Sequence, residues 1–263
     1  MRLSALGHEL EIETIGQGRP LLFVHGLAVD RRVMVAAFEP LPDGWRRIYV
    51  DLPGHGASRG EASQASADEL VDTLEHVVRE LCGGQTPPSV IGYAYGGYLA
   101  LGLAARLALD GLFLVCPTVE ADFGKRHVPP RRVAVREELA FSDDPREKDA
   151  FEEVAVLQTR EALDSFRRVV HPANIAADQG FMAATRGRYV MSRPFMHLLQ
   201  SFEKPVGIVC GRDDHWVGYE DAVSLVKSFA EAQLCVVPRA GNLLPFEAPA
   251  ILRAQFENWL ARL

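Results

Sequence analysis

The chain has 263 residues, of which 48% are hydrophobic and 24% charged, enough to bury one large core or a core carrying an insertion. Its formal net charge of -7 argues against a nucleic-acid or anionic membrane surface, since both need clustered basic residues. No apolar run reaches the roughly 18 residues of a membrane span.

The opening, MRLSALGHELEIETIGQG, alternates apolar and polar residues and looks like neither a signal nor a transit peptide. Cys82, Cys116, Cys210 and Cys235 show no C-x-x-C spacing, which predicts buried core thiols and a reducing, cytoplasmic setting. Short apolar runs then recur: PLLFVHG at 20–26, RRIYVDLPG at 46–54, PSVIGY at 88–93, LDGLFLVCP at 109–117, KPVGIVCGRDD at 204–214 and AQLCVVPRAGN at 232–242. Runs of this kind predict strands buried on both faces. Helical spacing of apolar residues predicts helices over 67–81, 95–107, 219–229 and 248–263. The alternation implies an α/β fold with a mostly parallel, doubly wound sheet, whose ligands bind at the carboxyl ends of the strands.

The alternation stops over 118–201, a charged stretch of helical character with no convincing strand. It reads as a helical cap over a core made of 1–117 and 202–263, because long insertions in compact domains tend to be functional. Phe141, Phe151, Phe166, His171, Phe181, Met182, Tyr189 and Met196 are its candidates for lining an apolar pocket, although the same spacing also suits core residues.

Five stretches follow one another in an informative order: FVHGLAVD at 23–30, DLPGHGAS at 51–58, IGYAYGG at 91–97, GRDDHWVG at 211–218 and RAGNLLPFEAP at 239–249. Together they resemble the α/β-hydrolase superfamily, in particular its small capped members. The resemblance covers essentially the whole chain outside the insertion. It implies an α/β-hydrolase fold with a helical cap and a nucleophile elbow at 91–97, where small residues leave room for a strained turn.

On that resemblance the nucleophile position is Ala94, the acid is Asp214 with Asp213 as the neighbouring alternative, and the base position is Asn242. The resemblance places oxyanion donors at the backbone N–H groups of Leu27 and Tyr95. His25, Gly26, Tyr93, His215 and Trp216 are candidates for contacting substrate, with His25 also read as a hydrogen-bonded structural histidine. A methyl group cannot attack a carbonyl and an amide cannot act as a general base, so ordinary acyl-enzyme hydrolysis is not expected of this sequence.

The favoured expectation is therefore a non-hydrolytic enzyme, performing elimination, cyclisation or isomerisation on a small, largely apolar carbonyl compound through orientation and polarisation. Two alternatives stay open: an ester or C–C bond hydrolase inactivated by Ser→Ala and His→Asn replacements, and a small-ligand binding protein on a hydrolase pocket. No cofactor or metal is implied, because G-x-x-x-G-G is not a dinucleotide fingerprint and no element carries metal-ligand spacing. A small-molecule partner is expected, without nucleic acid or membrane, for a monomer or homodimer.

Overall fold

In a computed structural model, which describes residues 1–83 and 86–263, the apolar runs become strands and most of the stretches between them become helices. The strands are β1 (Arg2–Ala5), β2 (His8–Ile15), β3 (Arg19–Val24), β4 (Trp45–Val50), β5 (Ser89–Tyr93), β6 (Gly111–Val115), β7 (Val135–Arg136), β8 (Leu157–Gln158), β9 (Val206–Gly211) and β10 (Ala232–Val237). Eight form one sheet in the order β1-β2-β4-β3-β5-β6-β9-β10. It is parallel from β4 to β10, and β1 and β2 join it antiparallel at one edge.

Side chains of a strand alternate between faces, and β3 shows the consequence. Leu22 and Val24 enter one buried cluster with Leu70, Leu74 and Leu99, while Leu21 and Phe23 enter another with Phe38, Phe256 and Trp259. Helices Ala67–Cys82 and Tyr95–Ala104 cover the first face; Arg31–Phe38 and Pro249–Leu260 cover the second. Ser66 caps the Ala67–Cys82 helix by accepting from the Glu69 N–H and donating to its carboxylate, which satisfies an otherwise unpaired end. The Tyr95–Ala104 helix ends earlier than the spacing over 95–107 predicts.

Register sets the site. Val24 lies opposite Gly92, Tyr93 opposite Val115, and Val115 opposite Val209, so β3, β5, β6 and β9 finish at nearly the same level. The loops that follow carry Gly26, Ala94, Thr118 and Asp214.

The 118–201 stretch holds helices Pro145–Val154, Arg160–Ser165, His171–Ala176 and Gln179–Gly187, with a π-helical turn at Phe166–Val170. The expectation that it lacks strands needs correcting: β7 and β8 pair in parallel, Val135 with Leu157 and Arg136 with Gln158. Two residues each are too few to leave a period in the sequence. Phe151 and Phe166 merge with one sheet cluster, and Phe181 and Met182 with the other.

Candidate active site

β5 runs directly into Ala94, whose backbone sits at φ 49° and ψ -114° before the Tyr95–Ala104 helix begins. An alanine in that region is strained by about 1–3 kcal/mol and persists only where its surroundings hold it. They do so here: the Ala94 N–H donates to Val115 O at 2.9 Å, and Ala94 O accepts from Gly97 and Thr118, each at 3.0 Å. The neighbouring glycines leave the space. A Cβ on Gly92 would lie 2.6 Å from Gly96 O, and one on Gly97 would lie 2.7 Å from the Pro117 Cβ.

Beyond β9 the chain turns so that Asp214, 1% exposed, accepts from the backbone N–H of Trp216 at 2.9 Å and of Val217 at 3.1 Å through one oxygen. Its other oxygen accepts from the Asn242 side-chain amide at 2.9 Å. Burial raises the Asp214 pKa above its ordinary value, and the Asn242 and backbone donors pull it back in part. Asp213 faces elsewhere, accepting from Arg239 N at 3.0 Å and approaching Arg132 at 3.6 Å. The Tyr93 hydroxyl donates to the Asn242 backbone carbonyl at 2.8 Å, tying the elbow strand to the last loop.

Glu247, to which the sequence reading gave no role, ties two segments beside the site together. One carboxylate oxygen accepts from Gly241 N at 2.6 Å, and the other from Val156 N at 2.6 Å and Leu157 N at 3.0 Å. It thereby joins the Asn242 loop to β8 of the inserted stretch. The signal was present in the G-x-x-x-x-x-E-x-P spacing of 241–249.

A cavity of about 270 Å³ opens above the elbow. It brings together Gly26, Leu27, Tyr93, Ala94, Tyr95, Trp216 and Asn242 from the predicted set. A Cβ on Gly26 would sit 3.1 Å from the Ala94 Cβ, so this glycine keeps the floor open. Among the described residues, the backbone N–H groups of Leu27 and Tyr95 carry no hydrogen bond. Phe166 and Tyr189 supply wall from the inserted stretch, along with Arg126 and Asn174, which the sequence did not single out.

Other predicted contacts do not reach the cavity. Phe181 is 1% exposed and packs over Gly54 and Gly60, Met182 is fully buried in the same cluster, and Phe141 packs against Phe151 with ring centroids 6.2 Å apart. Helical spacing marked these residues as apolar without telling which face they served. His215 is also outside the lining, beside Trp216. His25 is fully buried behind it: one ring nitrogen accepts from Leu52 N at 2.9 Å and the other lies 2.7 Å from Gly26 O, so it bolts the β3 loop to the end of β4.

A doubly wound sheet with a strained strand-to-helix elbow, an acid after β9 and a partner in the last loop defines a protein of hydrolase architecture. The model of the Alpha/beta hydrolase family matches residues 21–255, and the chain belongs to that family. Over 250 residues, covering 90% of this chain and 92% of the relative, it is 24% identical to a pimeloyl-[acyl-carrier protein] methyl ester esterase of Nitrosospira multiformis. It is 35% identical to the esterase of that name from Xanthomonas oryzae over 111 residues, a stretch that spans 41% of each chain. Among solved structures, an alpha/beta superfamily hydrolase from Oenococcus oeni superposes with a TM-score of 0.89 at 26% identity, covering 100% of this chain and 98% of the other. A thermophilic esterase from Thermogutta terrifontis gives 0.75 at 27% identity, covering 99% and 98%.

These relatives overturn the expectation of a non-hydrolytic enzyme. They are named as esterases and hydrolases, and nothing in the comparison points to elimination, cyclisation or isomerisation. Inferring a new reaction from two missing reactive groups gave those positions more weight than the intact frame around them.

Proposed function

We propose that this is a carboxylic ester hydrolase site in which Ala94 and Asn242 occupy the positions of nucleophile and base, leaving an ester-binding form. The observation that carries the reading is the Asn242 amide donating to buried Asp214 at 2.9 Å, in the loop beside a strained Ala94 elbow. A catalytic histidine would donate one ring N–H to the same carboxylate. The esterase relatives and the cavity above the elbow support the same reading.

In this proposal the inserted stretch caps the pocket, and Leu27 and Tyr95 offer their N–H groups to the developing oxyanion. Asp214 orients the base. The test is p-nitrophenyl butyrate turnover by four proteins: the chain as it stands, Ala94→Ser, Asn242→His and both changes together. Complete loss of such a triad costs on the order of 10⁶-fold in turnover, so the double variant is expected to gain at least about 10³-fold while either single change stays close to background. A folded double variant without esterase activity overturns the reading.

A further inference from the structure

Arg126 stands in the wall of the cavity beside the Tyr189 hydroxyl, whose burial-raised pKa it pulls back in part, and one of its nitrogens makes no well-aligned hydrogen bond among the described residues. Its Nε donates to Glu120 O at 2.8 Å and its Nη1 to Trp216 O at 3.0 Å. The guanidinium lies 4.0 Å from the centroid of Phe123 and 5.3 Å from that of Tyr189, so it packs against one side of an adjoining ring pair while donating to two carbonyls. Nη2 is buried without a hydrogen-bond partner among the described residues. No carboxylate pairs with Arg126 among those residues either, in a chain of net charge -7. A buried donor left unpaired is costly, and a guanidinium nitrogen is best satisfied by an anionic oxygen.

The surroundings favour the same ligand. Arg186 and Glu153 also line the cavity, and both are exposed, which leaves Arg126 as the less exposed charged group of the described lining. The arginine wall is joined to the elbow, because Thr118 donates its N–H to Ala94 O at 3.0 Å and its hydroxyl lies 3.2 Å from that of Tyr189. One cavity of about 270 Å³ therefore holds both the elbow and an unsatisfied cationic donor.

We propose that the site takes hemiesters, dicarboxylic acids esterified at one end, with the ester over Ala94 and the free carboxylate against the cavity-facing side of the Arg126 guanidinium. The inference rests on the ester-hydrolase reading above for the group at Ala94, and on Arg126 alone for the carboxylate. Its test uses the chain as it stands, which holds an ester without consuming it. Isothermal titration with monomethyl glutarate and with dimethyl glutarate is expected to show the monoester binding on the order of tenfold tighter or more.

Arg126→Met is expected to erase that preference, and Arg126→Lys to retain part of it through its charge. Equal affinity for the two esters, including none measurable for either, overturns the proposal, as does a preference that survives Arg126→Met. The two readings fail separately. If the double variant at positions 94 and 242 cleaves neutral esters and the monoester shows no advantage, only the carboxylate site falls. If neither ester is cleaved by that variant while the preference for monomethyl glutarate depends on Arg126, the carboxylate site stands and the hydrolase reading falls.

Discussion

Replacing Ala94 with glycine should stabilise the protein, although glycine in most positions does the reverse. Ala94 sits at φ 49° and ψ -114°, where a Cβ is unfavourable. Relief of that strain contributes about 1–3 kcal/mol. Against it stand about 0.5–1 kcal/mol for the greater freedom of glycine in the unfolded chain and at most about 0.8 kcal/mol for the lost methyl burial. Ala94 is only partly buried, so the methyl contribution falls below that ceiling. Taking the middle of each range, the balance is a gain of about 0.9 kcal/mol, or roughly 2 °C in melting temperature for a chain of this size.

Urea denaturation at neutral pH measures it, with an unchanged slope required for the comparison. Gly92→Ala supplies the opposite control, since its Cβ would meet Gly96 O at 2.6 Å, and it should destabilise by more than the Ala94→Gly gain. A loss of 1 kcal/mol or more in Ala94→Gly would refute the idea that the elbow stores strain.

His25 and His55 lie with ring centroids 4.9 Å apart, and burial lowers their pKa values to about 4 and about 3. Both folded values lie below the unfolded one of about 6.5, so the unfolded chain takes up protons first as pH falls. Their contribution is complete above pH 6.5 and is lost on the way to those folded values, at about 1.4 kcal/mol per pH unit for each. His55→Gln should therefore show a shallower loss of stability between pH 6 and 4 in urea melts, and an unchanged slope would contradict the assignment. Glu247→Gln weakens three charge-assisted acceptances and should cost about 2 kcal/mol, with faster hydrogen exchange at the Val156 and Leu157 amides. Unaltered protection at those two amides would mean that Glu247 does not tie β8 to the Asn242 loop.

The sheet was legible because parallel strands buried on both faces leave continuous apolar runs such as LLFV and LFLV, which a surface loop does not tolerate. The positions of Ala94, Asp214 and Asn242 were legible for a different reason: the turns around them need particular residues, and Gly92, Gly96 and Gly97 can be read without coordinates. Cavity walls leave no such trace. Phe181 and Phe166 are both buried aromatic residues of the inserted stretch, yet Phe181 fills the space over Gly54 while Phe166 faces the cavity. Which way each points depends on how the helices pack, and that information is spread over many residues. Arg126 was invisible for the same reason, as one arginine in a charged stretch whose unpaired nitrogen exists only in three dimensions.

The Asp214–Asn242 contact separates two functions that a working triad combines. A histidine at 242 would do two things: hold its place by donating to Asp214, and carry a proton between nucleophile and leaving group. Asparagine keeps the first, because its amide is a donor at 2.9 Å from the same oxygen, and lacks the second, because it does not titrate near neutral pH. Alanine at 94 similarly keeps the elbow turn while removing the attacking atom. The shape of the pocket, its unpaired N–H groups and its arginine wall depend on neither reactive group. On the proposed reading, recognition and bond cleavage are separable in this chain, and ligand affinity measured on it is expected to report ground-state binding.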